Sequence, residues 1–162
     1  MKNVHSIGMR RNAFSIWLLL TLAGGGGSVL GQDALSVSAT QLTPEKQAAY
    51  IFVFSCPPAL SPNASLEIFF PEAMDLEKLI LADSRLMVGG FRVSVEQNRA
   101  LVTRSGLGNT VPENSRIDLI LAAVKNASDM EREYTFRVLV RDRDQVLLDL
   151  SDSVRVKNVE KQ

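Results

Sequence analysis

Histidine and tryptophan occur once each, at His5 and Trp17, and cysteine once, at Cys56. The first two lie in a leader whose composition marks it for removal, so the mature chain is expected to have neither. Without histidine, the Ser-His-Asp and Cys-His catalytic arrangements and the usual zinc ligand set are excluded. One cysteine permits no intramolecular disulfide. Cys56 reads as a small buried apolar group, because it ends the run Tyr50-Ile51-Phe52-Val53-Phe54-Ser55 with no histidine, lysine or arginine nearby to activate the thiol. Without tryptophan, the flat platform that stacks on sugars is missing. Tyr50 and Tyr134 sit in apolar strands and read as core or corner residues.

The leader has three adjoining parts. Lys2, Arg10 and Arg11 form a basic start, Ala13 to Ala23 an apolar stretch, and Gly24 to Gly31 a small-residue zone. A membrane span needs about 20 predominantly apolar residues, and this run dissolves into the glycines Gly24 to Gly27. Residues 1–31 therefore read as a cleavable signal peptide, cut after Gly31 with Val29 and Gly31 as the small residues the peptidase accepts, leaving Gln32 first. No cysteine follows the cut, which excludes a lipoprotein signal. The spacing around Arg10 and Arg11 fits the general secretion route better than the twin-arginine one. The expected location is periplasmic, extracellular or on the cell surface, with no stable membrane span after removal.

Charge of one sign is also scarce. Eighteen Lys and Arg balance eighteen Asp and Glu; loss of Lys2, Arg10 and Arg11 leaves fifteen against eighteen, a net of −3. That excess argues against nucleic acid, which requires clustered cations. Residues 32–162, about 130, suit one domain able to bury a core without covalent staples.

What is present has the rhythm of an all-β domain: short β-branched and aromatic segments between Pro, Gly, Asn and Ser clusters. Strands are expected at Leu35–Gln41, Ala48–Ser55, Ser65–Phe70, Arg85–Val88, Phe91–Gln97, Ala100–Arg104, Arg116–Val124, Glu133–Arg141 and Val146–Val156. Leu66, Ile68 and Phe70 share a face, as do Ile117, Leu119 and Leu121, or Tyr134, Phe136 and Val138. Thr135, Arg137 and Leu139 face the other way, as in antiparallel sheets with one wet side. Leu76 to Leu81 has helical character and should form one short turn. Phe52, Phe54, Ile68, Phe70, Leu119 and Phe136 are the core candidates.

The order Tyr50-Ile51-Phe52-Val53-Phe54, Pro58-x-Leu60, Leu66-x-Ile68-x-Phe70-Pro71, Gly89-Gly90, Val111-Pro112, Ile117-x-Leu119, Asn126 and Tyr134-Thr135-Phe136-x-Val138 resembles an immunoglobulin-like module. Modules of this kind recur in bacterial and archaeal secreted and surface proteins. The resemblance covers about Leu35 to Val156 and implies an antiparallel immunoglobulin-like β-sandwich. Its motifs are structural and assign no activity.

The remaining candidates are weighed by charge and spacing. Glu67, Glu72, Asp75 and Glu77 could pair as glycosidase carboxylates, but Glu67 alternates with Leu66 and Ile68 and should point to solvent, and the others read as a loop's polar side. Asp142, Asp144, Asp149 and Asp152 could offer calcium oxygen ligands, yet their spacing matches no calcium loop, and Arg141-Asp142-Arg143-Asp144 reads as a charged hairpin connection. Asn63-Ala64-Ser65 and Asn126-Ala127-Ser128 are glycosylation sequons that read equally as turns. No catalytic residue, cofactor or metal ligand is nominated. The expected role is non-catalytic protein binding or assembly through a sheet edge or loop cluster, with Leu35–Gln41 and the strand ending near Val156 as the edges; the alternative is a secreted carbohydrate-active or other hydrolytic enzyme with an unrecognised carboxylate site.

Overall fold

A computed structural model describes residues 35–159; the signal-peptide and Gln32 expectations fall outside them. Ten strands follow one another: β1 (Ser36–Ala39), β2 (Gln47–Cys56), β3 (Ser65–Phe69), β4 (Leu81–Asp83), β5 (Phe91–Glu96), β6 (Arg99–Arg104), β7 (Ser115–Lys125), β8 (Glu133–Asp142), β9 (Gln145–Arg155) and β10 (Lys157–Asn158). They form two sheets, β10-β1-β2-β7-β4 and β5-β6-β3-β8-β9. Every pairing is antiparallel except β1 with β10. This is an immunoglobulin-like β-sandwich, as the sequence order suggested.

The core lies between the sheets. Phe52 and Phe54 of β2, Leu66 and Ile68 of β3, Ile117, Leu119 and Leu121 of β7, and Phe136 and Val138 of β8 point inward by strict alternation and are buried. Four rings meet at the centre edge to face: Phe70 with Tyr50, Phe52 and Phe136 at 5.9, 5.4 and 5.7 Å, and Phe52 with Phe136 at 5.5 Å. Every core candidate is buried here. Near the end of β7, Ala123 takes a φ of 69° where the β2 register shifts between Ala48 and Tyr50. The extra residue resets the alternation, so that Val124 also faces inward.

Two sequence expectations need correction. Arg85–Val88 is not a strand, because local groups capture its backbone donors: Asp118 Oδ1 accepts from Arg85 N at 3.2 Å, Ser84 Oγ from Met87 N at 3.1 Å, and Leu86 O from Val88 N at 3.1 Å. The fourth strand is instead Leu81–Asp83, beyond a turn closed by Leu79 N to Leu76 O at 2.9 Å. The strand expected from Val146 to Val156 is β9, Gln145–Arg155, and beyond it the chain passes into the other sheet as β10. Val156, 2% exposed, marks the crossing between them. β10 then covers the outer edge of β1 at Ser38 and Ala39, so the first strand is not the open edge expected of it.

Candidate docking surfaces

The outer faces of the two sheets differ in kind. On the β5-β6-β3-β8-β9 sheet, one row across all five strands reads Ser94, Leu101, Glu67, Leu139, Asp149, and the next reads Glu96, Arg99, Phe69, Arg137, Ser151. Charges of both signs stand on these rows and their neighbours, and several of them pair. Arg99 Nη1 and Arg141 Nε reach the two oxygens of Glu67 at 3.0 and 2.9 Å, and Arg99 also bonds Glu96. Arg137 grips Asp149 with two bonds of 2.8 and 2.7 Å, holding that carboxyl below the usual carboxylate range, while its guanidinium lies over the Phe69 ring. Glu67 does leave the core as expected, but it is largely covered: 9% exposed, it lies between two arginines. Ion pairs thus cover the middle of this face.

The β10-β1-β2-β7-β4 sheet turns aliphatic side chains outward. Ala49, Ile51 and Val53 of β2 lie beside Ile120 and Ala122 of β7, with Ile51 directly opposite Ile120 and with Leu81 of β4 opposite Ala122. Ser36 and Ser38 of β1 flank them on one side, and Asp83 on the other. The apolar surface continues along the β4 margin through Ile80, Leu81, Leu86 and Val88, of which Ile80 is 83% and Leu81 58% exposed. At one end a groove is lined by Val53, Leu86, Arg85, Arg116 and Asp118, with Arg85 paired to Asp118 at 3.2 Å. The expectation of one wet side, made for Glu133–Arg141, holds there; the outer face of the other sheet is half-buried and aliphatic. A signal existed in the sequence: Ala48–Phe54 and Leu119–Val124 are apolar at every position, the mark of strands covered on both faces.

A loop cluster at one end of the sandwich is held by Arg104. Its side chain, 3% exposed, donates to Ser61 O (2.6 Å), Leu60 O (3.4 Å), Asn109 O (2.8 Å) and Val88 O (3.2 Å), while Nε is buried without a partner. Burial of a guanidinium faced only by carbonyls lowers its pKa. Gly89 and Gly108, both at positive φ, let the loops touch backbone to backbone; a Cβ on Gly89 would overlap Leu107 O, and one on Gly108 would overlap Val88 O. The exposed side chains of Val88 and Leu107 are thus carried on a tied frame.

No family model matches this chain, and no curated protein matches it. Solved structures do. The N-terminal domain of the Streptococcus gordonii adhesin Sgo0707 is similar over 75% of this chain, at 11% identity and a TM-score of 0.46, although the chain covers only 32% of that one. A non-cellulosomal cohesin from the archaeon Archaeoglobus fulgidus matches over 77% of the chain and 86% of its own length, at 13% identity and 0.42. An uncharacterized Nocardia farcinica protein with an immunoglobulin-like fold matches over 77% and 99%, at 12% identity and 0.41. Such identities and scores mark a loose likeness of backbone course and say nothing about what this chain binds.

The carboxylates weighed from sequence do not assemble. Glu72, Asp75 and Glu77 border one groove, but all three are exposed, and Asp75 Oδ1 accepts from Glu77 N at 2.8 Å. Glu67 lies apart, held by its arginines. Asp149 and Asp152 occupy opposite faces of β9, and Asp142 accepts from Ser61 Oγ at 2.8 Å. Among the described residues no group of three His, Cys, Asp or Glu side chains is placed to hold a metal. Burial pushes the Cys56 thiol up to about 11. Tyr134, at the start of β8, donates its hydroxyl to Asp129 O, a tyrosine corner, and Tyr50 donates to Asn126 Oδ1 at 2.7 Å. Asn126, 2% exposed, donates through Nδ2 to Gln41 O and Thr43 O at 3.1 and 2.8 Å. A glycan has no access to that nitrogen in the folded domain, whereas Asn63 is exposed.

Proposed function

We propose that the protein is exported by its first 31 residues and works outside the cytoplasm as a non-catalytic module that docks a protein through the outer face of its β10-β1-β2-β7-β4 sheet. The contrast between the two outer faces carries this reading. One outer face carries charged side chains, several of them paired; the other leaves isoleucine, valine and leucine outward, and exposed apolar patches of this kind mark protein contacts. Docking through a face replaces the edge docking suggested by the sequence, since β1 is capped by β10 and β9 carries Asp152 on its inward side, a device that blunts edges.

The test is crosslinking in the native host followed by intact-mass analysis. The chain should begin at Gln32 and appear in an adduct heavier than itself, and Ile120→Glu should remove the adduct while leaving the melting curve intact. A full-length chain held in the membrane fraction would sink the export reading, and an adduct indifferent to Ile120→Glu the docking one.

A further inference from the structure

Three kinds of element can lie on the aliphatic face: an extended strand, a second sheet or a helix. Charge does not choose among them, because Arg85 and Asp118 at one end of the face answer each other. Hydrogen bonding and size do. β2 sits between β1 and β7, and β7 between β2 and β4, so the backbone of both central strands is paired on each side. The face therefore presents side chains and no free backbone donor or acceptor. An extended segment laid across Ile51 and Ile120 would hold its own N–H and C=O groups over aliphatic carbon, away from water and without partners. A helix satisfies those groups within itself and brings only side chains to the contact.

Size excludes the second sheet. The outward apolar residues run from Ala49 to Val53 on β2, about 13 Å at about 3.3 Å per residue, and continue sideways through Ile120 and Ala122 of β7 to Leu81 of β4, about 10 Å across the strands. Beyond them stand Ser36 and Ser38 of β1, a strand of 4 residues, and Asp83 of β4, a strand of 3. A sheet of the usual four to six strands, about 20 Å wide, would set its apolar side on those polar side chains. A helix is about 10–12 Å across, and residues i, i+4 and i+7 of one stripe span about 10.5 Å along its axis, close to the length from Ala49 to Val53. Leu86 walls the groove beside Val53, and exposed Leu81 flanks Ala122, so the β4 side of this seat is apolar, whereas the β1 side carries the serines. That asymmetry matches a helix that is itself apolar along one stripe and polar beside it. A contact of this size belongs to weak, transient encounters.

We infer that the element docked on this face is a single amphipathic helix of a partner protein, anchored by an apolar i, i+4, i+7 stripe on Ile51, Val53 and Ile120. This rests on the docking reading above and names the kind of partner. The experiment places a photoreactive diazirine analogue of leucine at Leu81 or at Leu86, in the chain as its host exports it, and maps the captured partner residues by mass spectrometry. They should fall in one segment at spacings of three and four. A synthetic peptide of that segment should bind the exported chain, about thirtyfold or more weakly to Ile120→Glu, and about a hundredfold more weakly when a proline replaces a residue in the middle of the peptide. Should Ile120→Glu fail to fold, Ala122→Arg, at a small half-buried position of the same face, serves in its place. Captured residues spaced by two, or a peptide indifferent to the proline, overturn the helix and leave the docking reading standing. Capture of lipid alone, capture of nothing, or capture that neither face substitution reduces overturns both.

Discussion

Phe69 and Phe70 are neighbours in sequence with opposite fates, and truncating each to alanine measures what the sandwich does with a ring. Phe70 is 2% exposed and makes edge-to-face contact with three rings at 5.4 to 5.9 Å. Removing it deletes a large apolar side chain and leaves a cavity, at about 3–5 kcal/mol, and the three ring contacts at about 0.5–1.5 kcal/mol each place it at the upper end of that range. For a domain of this size about 4–5 kcal/mol lowers the melting temperature by about 15–20 °C and takes a large part of a total near 5–15 kcal/mol. Phe69 is half-buried on the outer face beneath the Arg137 guanidinium at 5.3 Å. Its loss should cost about 1–2 kcal/mol, from partial burial plus a cation–π contact. Urea unfolding with a shared slope gives both numbers. Equal losses at the two positions would refute the assignment of faces, and with it the division between core and ion-paired surface.

Gly89→Ala should destabilise by about 3 kcal/mol or more, seen as a lower denaturation midpoint, because the new methyl meets Leu107 O at a φ of 116°; Gly90→Ala, whose nearest neighbour is Ser105 Oγ at 3.9 Å, should cost less. Asn126→Ala should cost about 3 kcal/mol by calorimetry, since it strands Tyr50 Oη and the carbonyls of Gln41 and Thr43, whereas Asn63→Ala should stay within about 0.5 kcal/mol. Cys56 should resist alkylation at neutral pH until the chain unfolds. Because its folded pKa stands above the unfolded value, the stability it contributes is complete below about pH 9 and is lost as pH rises towards about 11; rapid labelling of folded protein at neutral pH would contradict its burial.

Ser65–Phe70 and Glu133–Arg141 were legible because alternation makes one face of each apolar, and Arg116–Val124 because its run from Leu119 on is apolar throughout. Arg85–Val88 misled because its β-rich residues are held by Ser84 and Asp118, one of them more than thirty positions away. The change of sheet at Val156 is invisible locally, since Val156 has the composition of any strand residue. The face proposed to dock was written in two unbroken apolar runs. Their inward halves were recognised as core, but which sheet would lack a cover for the outward halves depended on topology. The Glu67 lattice was half legible: alternation turned Glu67 outward, but only the register brings Arg99 and Arg141 to it.

The parallel pairing of β1 and β10 has a mechanical meaning. Because the two strands run in the same direction side by side, the chain enters the sandwich at one pole and leaves it at the other. Tension applied through both ends pulls along the strand axis, so the bonds joining Ser38 and Ala39 to Lys157, Asn158 and Val159 are loaded together in shear instead of opening one at a time. Antiparallel terminal strands would leave at the same pole and unzip.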